Sequence, residues 1–179
     1  MEQIRYVQRI CEDEKKVEQF LTEARTGVLG IAGADYPYCV PVNYVWKDGA
    51  IYFHGLGSGK KIELLETHRE VSFLVYQEHG TVQDAMPCHA DTSYISVMLF
   101  GKAEKLTSAE ESSAVLQAVV DKFMPHFYKN KITPALVEKY RSAFDNQAVA
   151  VYKIVPDYKT AKENVAAQED LYQVKKEGG

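Results

Sequence analysis

The chain has 179 residues, 46% of them hydrophobic and 26% charged, which suits one domain with a substantial core, with or without a tail. Its formal net charge of −4 argues against a general nucleic-acid binder, which would carry a basic excess. Three widely spaced cysteines, no apolar run of spanning length and no basic-then-apolar leader argue against a disulfide framework, a membrane partner and secretion, so a cytoplasmic location is expected.

Asp13–Arg25 places Val17, Phe20, Leu21 and Ala24 at helical spacing behind acidic residues, which predicts an amphipathic helix. Thr26–Ala32 reads as a strand, and Gly33-Ala34-Asp35 as the turn into a second one, Tyr36–Trp46. Pro37 and Pro41 cannot donate ladder hydrogen bonds, so an edge or a bulge is expected there. Lys47-Asp48-Gly49 is a hairpin connection to a third strand, Ala50–His54. A glycine-rich loop follows, with Gly55, Gly57 and Gly59 around Ser58. It leads into a short helix, Lys60–Thr67, with Ile62 and Leu65 on one face.

Glu70–Gln77 is the fourth strand, Glu78–Asp91 reads as a long polar loop, and Thr92–Leu106 is the longest strand, kinked or bulged at Gly101. Ser108 and Glu111 stand in capping-box register for a helix that carries Val115, Leu116, Val119, Val120 and Phe123. Thr133-Pro134 opens another helix, and Ala148–Val155 is the sixth strand. The chain thus divides into a domain over 1–155 and a polar segment, 156–179, that is a tail or an arm docking on a partner subunit. Six strands with hairpin connections and few helices predict a mainly β (α+β) fold, an antiparallel barrel whose closure removes vulnerable edges. A sandwich shares this periodicity.

The chemistry concentrates between His54 and Lys61. Backbone N–H groups at a helix N-terminus, the Ser58 hydroxyl and the ammonium groups of Lys60 and Lys61 make a phosphate cradle. Two lysines at the positive end of a helix dipole are unfavourable without an anion, which weighs against an ordinary solvated turn. The spacing is neither that of a Walker loop nor that of a dinucleotide fingerprint. His79, Cys88 and His89 lack metal-ligand spacing, and the adjacent pair would point to opposite faces of a strand, so no metal site is expected. Cys88 is either a reactive thiol or, more commonly for cysteine, a buried one.

The order strand, His54, glycine-rich turn, Ser58, Lys60, Glu63-Leu64 resembles the phosphate-binding segment of the FMN-binding split β-barrel superfamily, typified by pyridoxamine 5′-phosphate oxidase. Val40-Pro41-Val42-Asn43-Tyr44, then Ile51-Tyr52-Phe53-His54-Gly55, is closer to its nitroimidazole-resistance (Nim) branch. Cys88, Tyr94, Ser96-Val97 and Phe100-Gly101-Lys102-Ala103 are similar to a second pattern of that branch. The resemblance covers about residues 15–155.

It implies an antiparallel split β-barrel with peripheral helices, assembled as a homodimer with FMN at the subunit interface. Ser58, Gly59, Lys60 and Lys61 would hold the phosphate, and Pro41, Val42 and Asn43 the isoalloxazine ring. His54 would contact the ribityl chain or the phosphate, or donate a proton near neutral pH; the residues leave these roles open. His54 and Tyr94 are the catalytic candidates, and Tyr94 and Ser96 share a strand face that borders the flavin or the substrate across the interface. The implied activity is reduction of a small organic, nitroaromatic-type acceptor, with a nicotinamide or another reductant as electron donor. Pyridoxamine 5′-phosphate oxidation itself is the weaker expectation, because Leu171–Gly179 lacks that enzyme's Arg-x-His signature. The alternatives are a non-catalytic flavin carrier or sensor, a haem-handling protein on the same fold, and an interaction domain with an empty cradle.

Overall fold

Six antiparallel strands close into a barrel in the computed structural model, which describes residues 5–174. They are β1 (Thr26–Ile31), β2 (Tyr38–Lys47), β3 (Ala50–Gly55), β4 (Glu70–Val82), β5 (Asp91–Lys105) and β6 (Ala150–Asn164), in the spatial order β1-β2-β3-β6-β5-β4. Alternation along β5 sends Ser93, Ile95, Val97, Leu99 and Ala103 inward and leaves Tyr94, Ser96, Met98 and Phe100 on the outer face. Tyr44, Phe53, Phe73, Leu29 and Leu99 fill the interior with no exposed surface, each apolar side chain contributing roughly 1.5–3 kcal/mol by leaving water.

Among the described residues, four α-helices surround this core. In α1 (Glu14–Glu23), Asp13 caps the N-terminus by accepting from the Lys16 N–H, and Val17, Phe20 and Leu21 are buried. The Tyr44 hydroxyl donates to the Leu21 carbonyl at 2.7 Å and fixes α1 to the barrel. Helix α2 (Lys60–Thr67) inserts Ile62 and Leu65 into the core. Helix α3 (Ala109–Phe123), capped by Ser108, lays Val115 against Ala50, Tyr52 and Val151 on the outer face of the sheet. The short α4 (Pro134–Lys139), capped by Thr133, follows. Asp48 and Gly49 both adopt positive φ, 51° and 73°, the twist-matching geometry of a two-residue hairpin turn. At Gly101 the β5–β6 register slips, and a Cβ there would stand 2.4 Å from the Val155 carbonyl oxygen.

The expected edge at Pro41 exists without a bulge. Tyr38–Asn43 pairs with β1 on one side, whereas pairing with β3 begins only at Tyr44, so the other side of this stretch has no strand neighbour. This leaves a notch in the wall of the closed barrel.

Three boundaries differ from the sequence reading. The fourth strand continues to Val82 because its polar continuation still finds ladder partners in Asp91–Tyr94, which removes much of the expected long loop. The sixth strand runs to Asn164 rather than ending at Val155, because its second half pairs with the outer half of β5. The expected boundary between 155 and 156 therefore falls inside a strand. Beyond it, Leu171 is 6% exposed and bridges to Val82, and the Tyr172 N–H donates to the Thr81 carbonyl, so this segment folds onto its own barrel. Residues 175–179 of the expected tail lie outside the described residues. Among the described residues no helix is long and apolar enough to cross a membrane.

Candidate functional site

The notch brings together the free edge of β2, the end of β3, the glycine-rich loop and the N-terminus of α2. Pro41 and Asn43 point outward and are exposed, and Thr26 Oγ1 donates to Asn43 Oδ1 at 3.1 Å. Val42 points into the barrel and is 7% exposed, which leaves only its backbone for a ligand. The β2–β3 ladder ends at Tyr44↔Phe53, so Asn43 and His54 each lie one residue beyond the last β2–β3 pair, at the mouth of the notch.

Lys60 and Lys61 diverge. Lys60 is exposed, its Nζ 5.4 Å from the centre of the Tyr38 ring. Lys61 turns inward: its Nζ lies 5.6 Å from the centre of the Phe53 ring and 2.7 Å from where a Cβ on Gly55 would stand. Burial pushes the Lys61 ammonium below its ordinary 10.5, and no carboxylate among the described residues pairs with it. A half-buried cation without a counter-ion is costly unless an anion joins it. The first N–H groups of α2 are also open, since Gly59, at φ 101°, supplies no side-chain cap.

His54 lies beside this cation. Its Nδ1 is buried and has no hydrogen-bond partner, and burial together with the nearby Lys61 charge keeps the imidazole below its ordinary 6.5. The ring is therefore neutral at pH 7. His54 also lines a cavity of about 300 Å³ whose other walls are apolar, among them Leu116, Ile132, Leu136 and Val149, with Tyr140 at the side.

Two further residues belong to the site and were not expected. Ser58 Oγ donates to Asp145 Oδ2 at 2.8 Å, so the loop hydroxyl already serves an internal carboxylate. Lys122, in the last turn of α3, donates to the carbonyls of Ala24 and Tyr44 at 2.6 and 3.2 Å, which places a positive charge one residue from Asn43. Burial, and then the Arg25 charge, lowers its ammonium to about 8. Neither could be read from motif spacing: Asp145 reaches Ser58 across 87 residues, and Lys122 stands in a helix that reads as amphipathic packing.

Tyr94 and Ser96 lie elsewhere on the same subunit. His54 pairs with Val151 and Ser96 with Lys162, which separates them by roughly 35 Å along β6. Tyr94 packs instead against Tyr76, ring centres 6.0 Å apart on the outer sheet face. Cys88 is exposed in a short turn, and His89 stands 3.6 Å from Asp84. Among the described residues no three His, Cys, Asp or Glu side chains gather as for a metal ion.

The open helix N-terminus, the unpaired Lys61, the orphaned His54 nitrogen and the free strand edge together fit the phosphate and polar edge of a nucleotide-like cofactor. No curated protein matches the sequence. Among solved structures, a candidate 5-nitroimidazole antibiotic resistance protein from Bacteroides thetaiotaomicron is 26% identical, with a TM-score of 0.63 over 86% of this chain and 85% of its own. The flavocytochrome Anf3 from Azotobacter vinelandii is 21% identical, with a TM-score of 0.73 over 94% of this chain and 77% of its own. An FAD- and haem-binding protein from Mycobacterium smegmatis, at 16% identity and a TM-score of 0.70, shares the fold over 90% of this chain and 78% of its own. The family model of pyridoxamine 5′-phosphate oxidase matches residues 13–163, most of the chain, and the chain belongs to that family.

Proposed function

We propose that this protein binds a flavin nucleotide, FMN in the simplest case, in the notch and acts as an oxidoreductase on a small organic acceptor. The observation that carries this reading is Lys61, a half-buried ammonium that no carboxylate among the described residues pairs with, set beside the open N-terminus of α2. In this reading Lys61 and the α2 N–H groups hold the phosphate, and Asn43 with the free β2 edge meets the polar rim of the ring. His54 offers its unpartnered nitrogen beside them. A bound flavin supplies two-electron transfer; the residues of this chain bind it, orient it and exclude water around it. A nitroaromatic acceptor is favoured by the likeness to the Bacteroides protein, and a nicotinamide is the natural electron donor to test.

The same reading makes the protein a dimer. Val28 and Tyr76, 37% and 50% exposed, stand with half-buried Tyr94, Met98 and Phe100 on the outer face of β1, β4 and β5. Two copies meeting there would set Tyr94 and Ser96 of one against the notch of the other and shield a bound ring from water.

A second reading, a flavin or haem carrier without turnover, is favoured by the likeness to the flavocytochrome and by the neutral His54 on an apolar cavity. The visible spectrum of the purified protein, with mass identification of any released cofactor, tests both. A flavin spectrum bleached by a reduced nicotinamide supports the oxidoreductase. A flavin that no nicotinamide reduces supports the carrier, and a Soret band on haem titration supports haem. No spectrum and no binding of added flavin would overturn the flavin reading.

A further inference from the structure

An anion stands on the glycine-rich loop beside the proposed phosphate position. Asp145 is presented by a closed turn in which the Asn146 N–H donates to the Ser142 carbonyl and the Ser142 N–H to the Gln147 carbonyl, both at 2.9 Å. The Gln147 N–H donates to Asp145 Oδ1 at 3.1 Å, and Ser58 Oγ to Oδ2 at 2.8 Å. The turn is seated tightly on the loop: a Cβ on Gly57 would stand 2.5 Å from Gln147 Cβ and 2.6 Å from the Ala148 carbonyl oxygen. The donors from Gln147, Ser58 and Ser142 hold the Asp145 carboxyl below the usual carboxylate range, so it is ionised at neutral pH. A phosphate bound at Lys61 and the first turn of α2 would therefore share the glycine-rich loop with the fixed negative charge of Asp145, held at Ser58, two residues before Lys60.

We propose that Asp145, through its hydrogen bond to Ser58, is a specificity-determining residue that tilts the cradle away from a terminal phosphate dianion and toward phosphate esters with one charge per phosphorus. Among flavins the first class is FMN, whose terminal phosphate carries close to two charges at pH 7, and the second is a flavin dinucleotide. Repulsion grows in proportion to the charge on the nearest phosphate, while Lys61 and the α2 N–H groups attract both ligands. Riboflavin, without phosphate, is indifferent to Asp145. This inference rests on the flavin reading above.

The experiment is fluorescence titration of the full chain and of Asp145→Asn with FMN, FAD and riboflavin at fixed ionic strength. Asp145→Ser serves as a second variant, and thermal melts report folding. Removing the charge should tighten FMN binding about ten-fold, FAD binding by less than about three-fold, and leave riboflavin unchanged. Equal gains for FMN and FAD, or no gain for FMN, with flavins still bound, would overturn the role of Asp145 alone. Failure of all three flavins to bind the parent and both variants would overturn the flavin reading and this inference with it.

Discussion

Lys61 Nζ lies 2.7 Å from the point where a Cβ on Gly55 would stand. The missing side chain at Gly55 is what lets this ammonium lie back over the end of β3 toward the Phe53 ring. Gly55→Ala should therefore push the ammonium out of the notch. Because the displaced atoms are the far end of a flexible side chain, the fold should survive nearly unchanged. We expect FMN binding to weaken by about ten-fold, the loss of roughly one charge-assisted hydrogen bond, with a thermal midpoint close to the parent's. Unaltered FMN affinity in a folded Gly55→Ala protein would mean that Lys61 does not work from this position.

His54 should make stability depend on pH in a defined direction. Its folded pKa lies below 6.5, because burial and then the Lys61 charge disfavour the imidazolium. Above 6.5 the imidazole is neutral in both folded and unfolded chains, and its contribution is whole. As pH falls, the unfolded chain takes up the proton first, so stability declines from about 6.5 down through the lower folded pKa. Urea unfolding between pH 5 and 8 should show this slope in the parent, and His54→Gln should lose part of it. An NMR titration that puts the His54 imidazole at or above 6.5 would contradict the assignment.

The elements that local chemistry specifies were legible in the sequence. The helix Lys60–Thr67, the hairpin at Asp48-Gly49, the caps at Ser108 and Thr133 and the kink at Gly101 all depend on a few neighbouring residues. Hairpin spacing gave an antiparallel sheet, and the resemblance, not the spacing, chose a barrel over a sandwich. What pairing alone decides was not legible: Glu78–Val82 is polar and becomes strand only because β5 is beside it, and the same holds for the second half of β6. In the candidate site, the order of the residues singled out Asn43, His54, Ser58 and the lysine pair as candidates. Which lysine turns inward could not, because it depends on the space above Gly55. Asp145 escaped because its contact with Ser58 is purely tertiary.

Gly101→Ala tests the barrel itself. Its Cβ would meet the Val155 carbonyl oxygen at 2.4 Å, and a backbone atom in the β5–β6 ladder has little room to yield. We expect a loss of about 1–3 kcal/mol in chemical denaturation, the range for steric overpacking. A variant as stable as the parent would show that the bulge can relax.

Tyr76→Lys tests the proposed pairing of two copies. Tyr76 is half exposed on the outer face of β4, so the substitution should leave the subunit folded. Light scattering should show a dimer for the parent and a monomer for the variant, with weaker flavin retention in the monomer. A parent that is monomeric with flavin fully bound would remove the dimer from the account.

The most direct test is flavin-fluorescence titration of Lys61→Ala and Lys60→Ala with FMN and riboflavin. Charge-assisted hydrogen bonds contribute roughly 1.5–3 kcal/mol, so losing the inward ammonium should weaken FMN binding about ten- to a hundred-fold. Riboflavin, which binds more weakly to the parent, should be nearly insensitive to the change. Lys60→Ala, whose ammonium is exposed over Tyr38, should cost less than about three-fold. Equal losses for FMN and riboflavin, or no loss of FMN binding in Lys61→Ala, would contradict a phosphate site at Lys61.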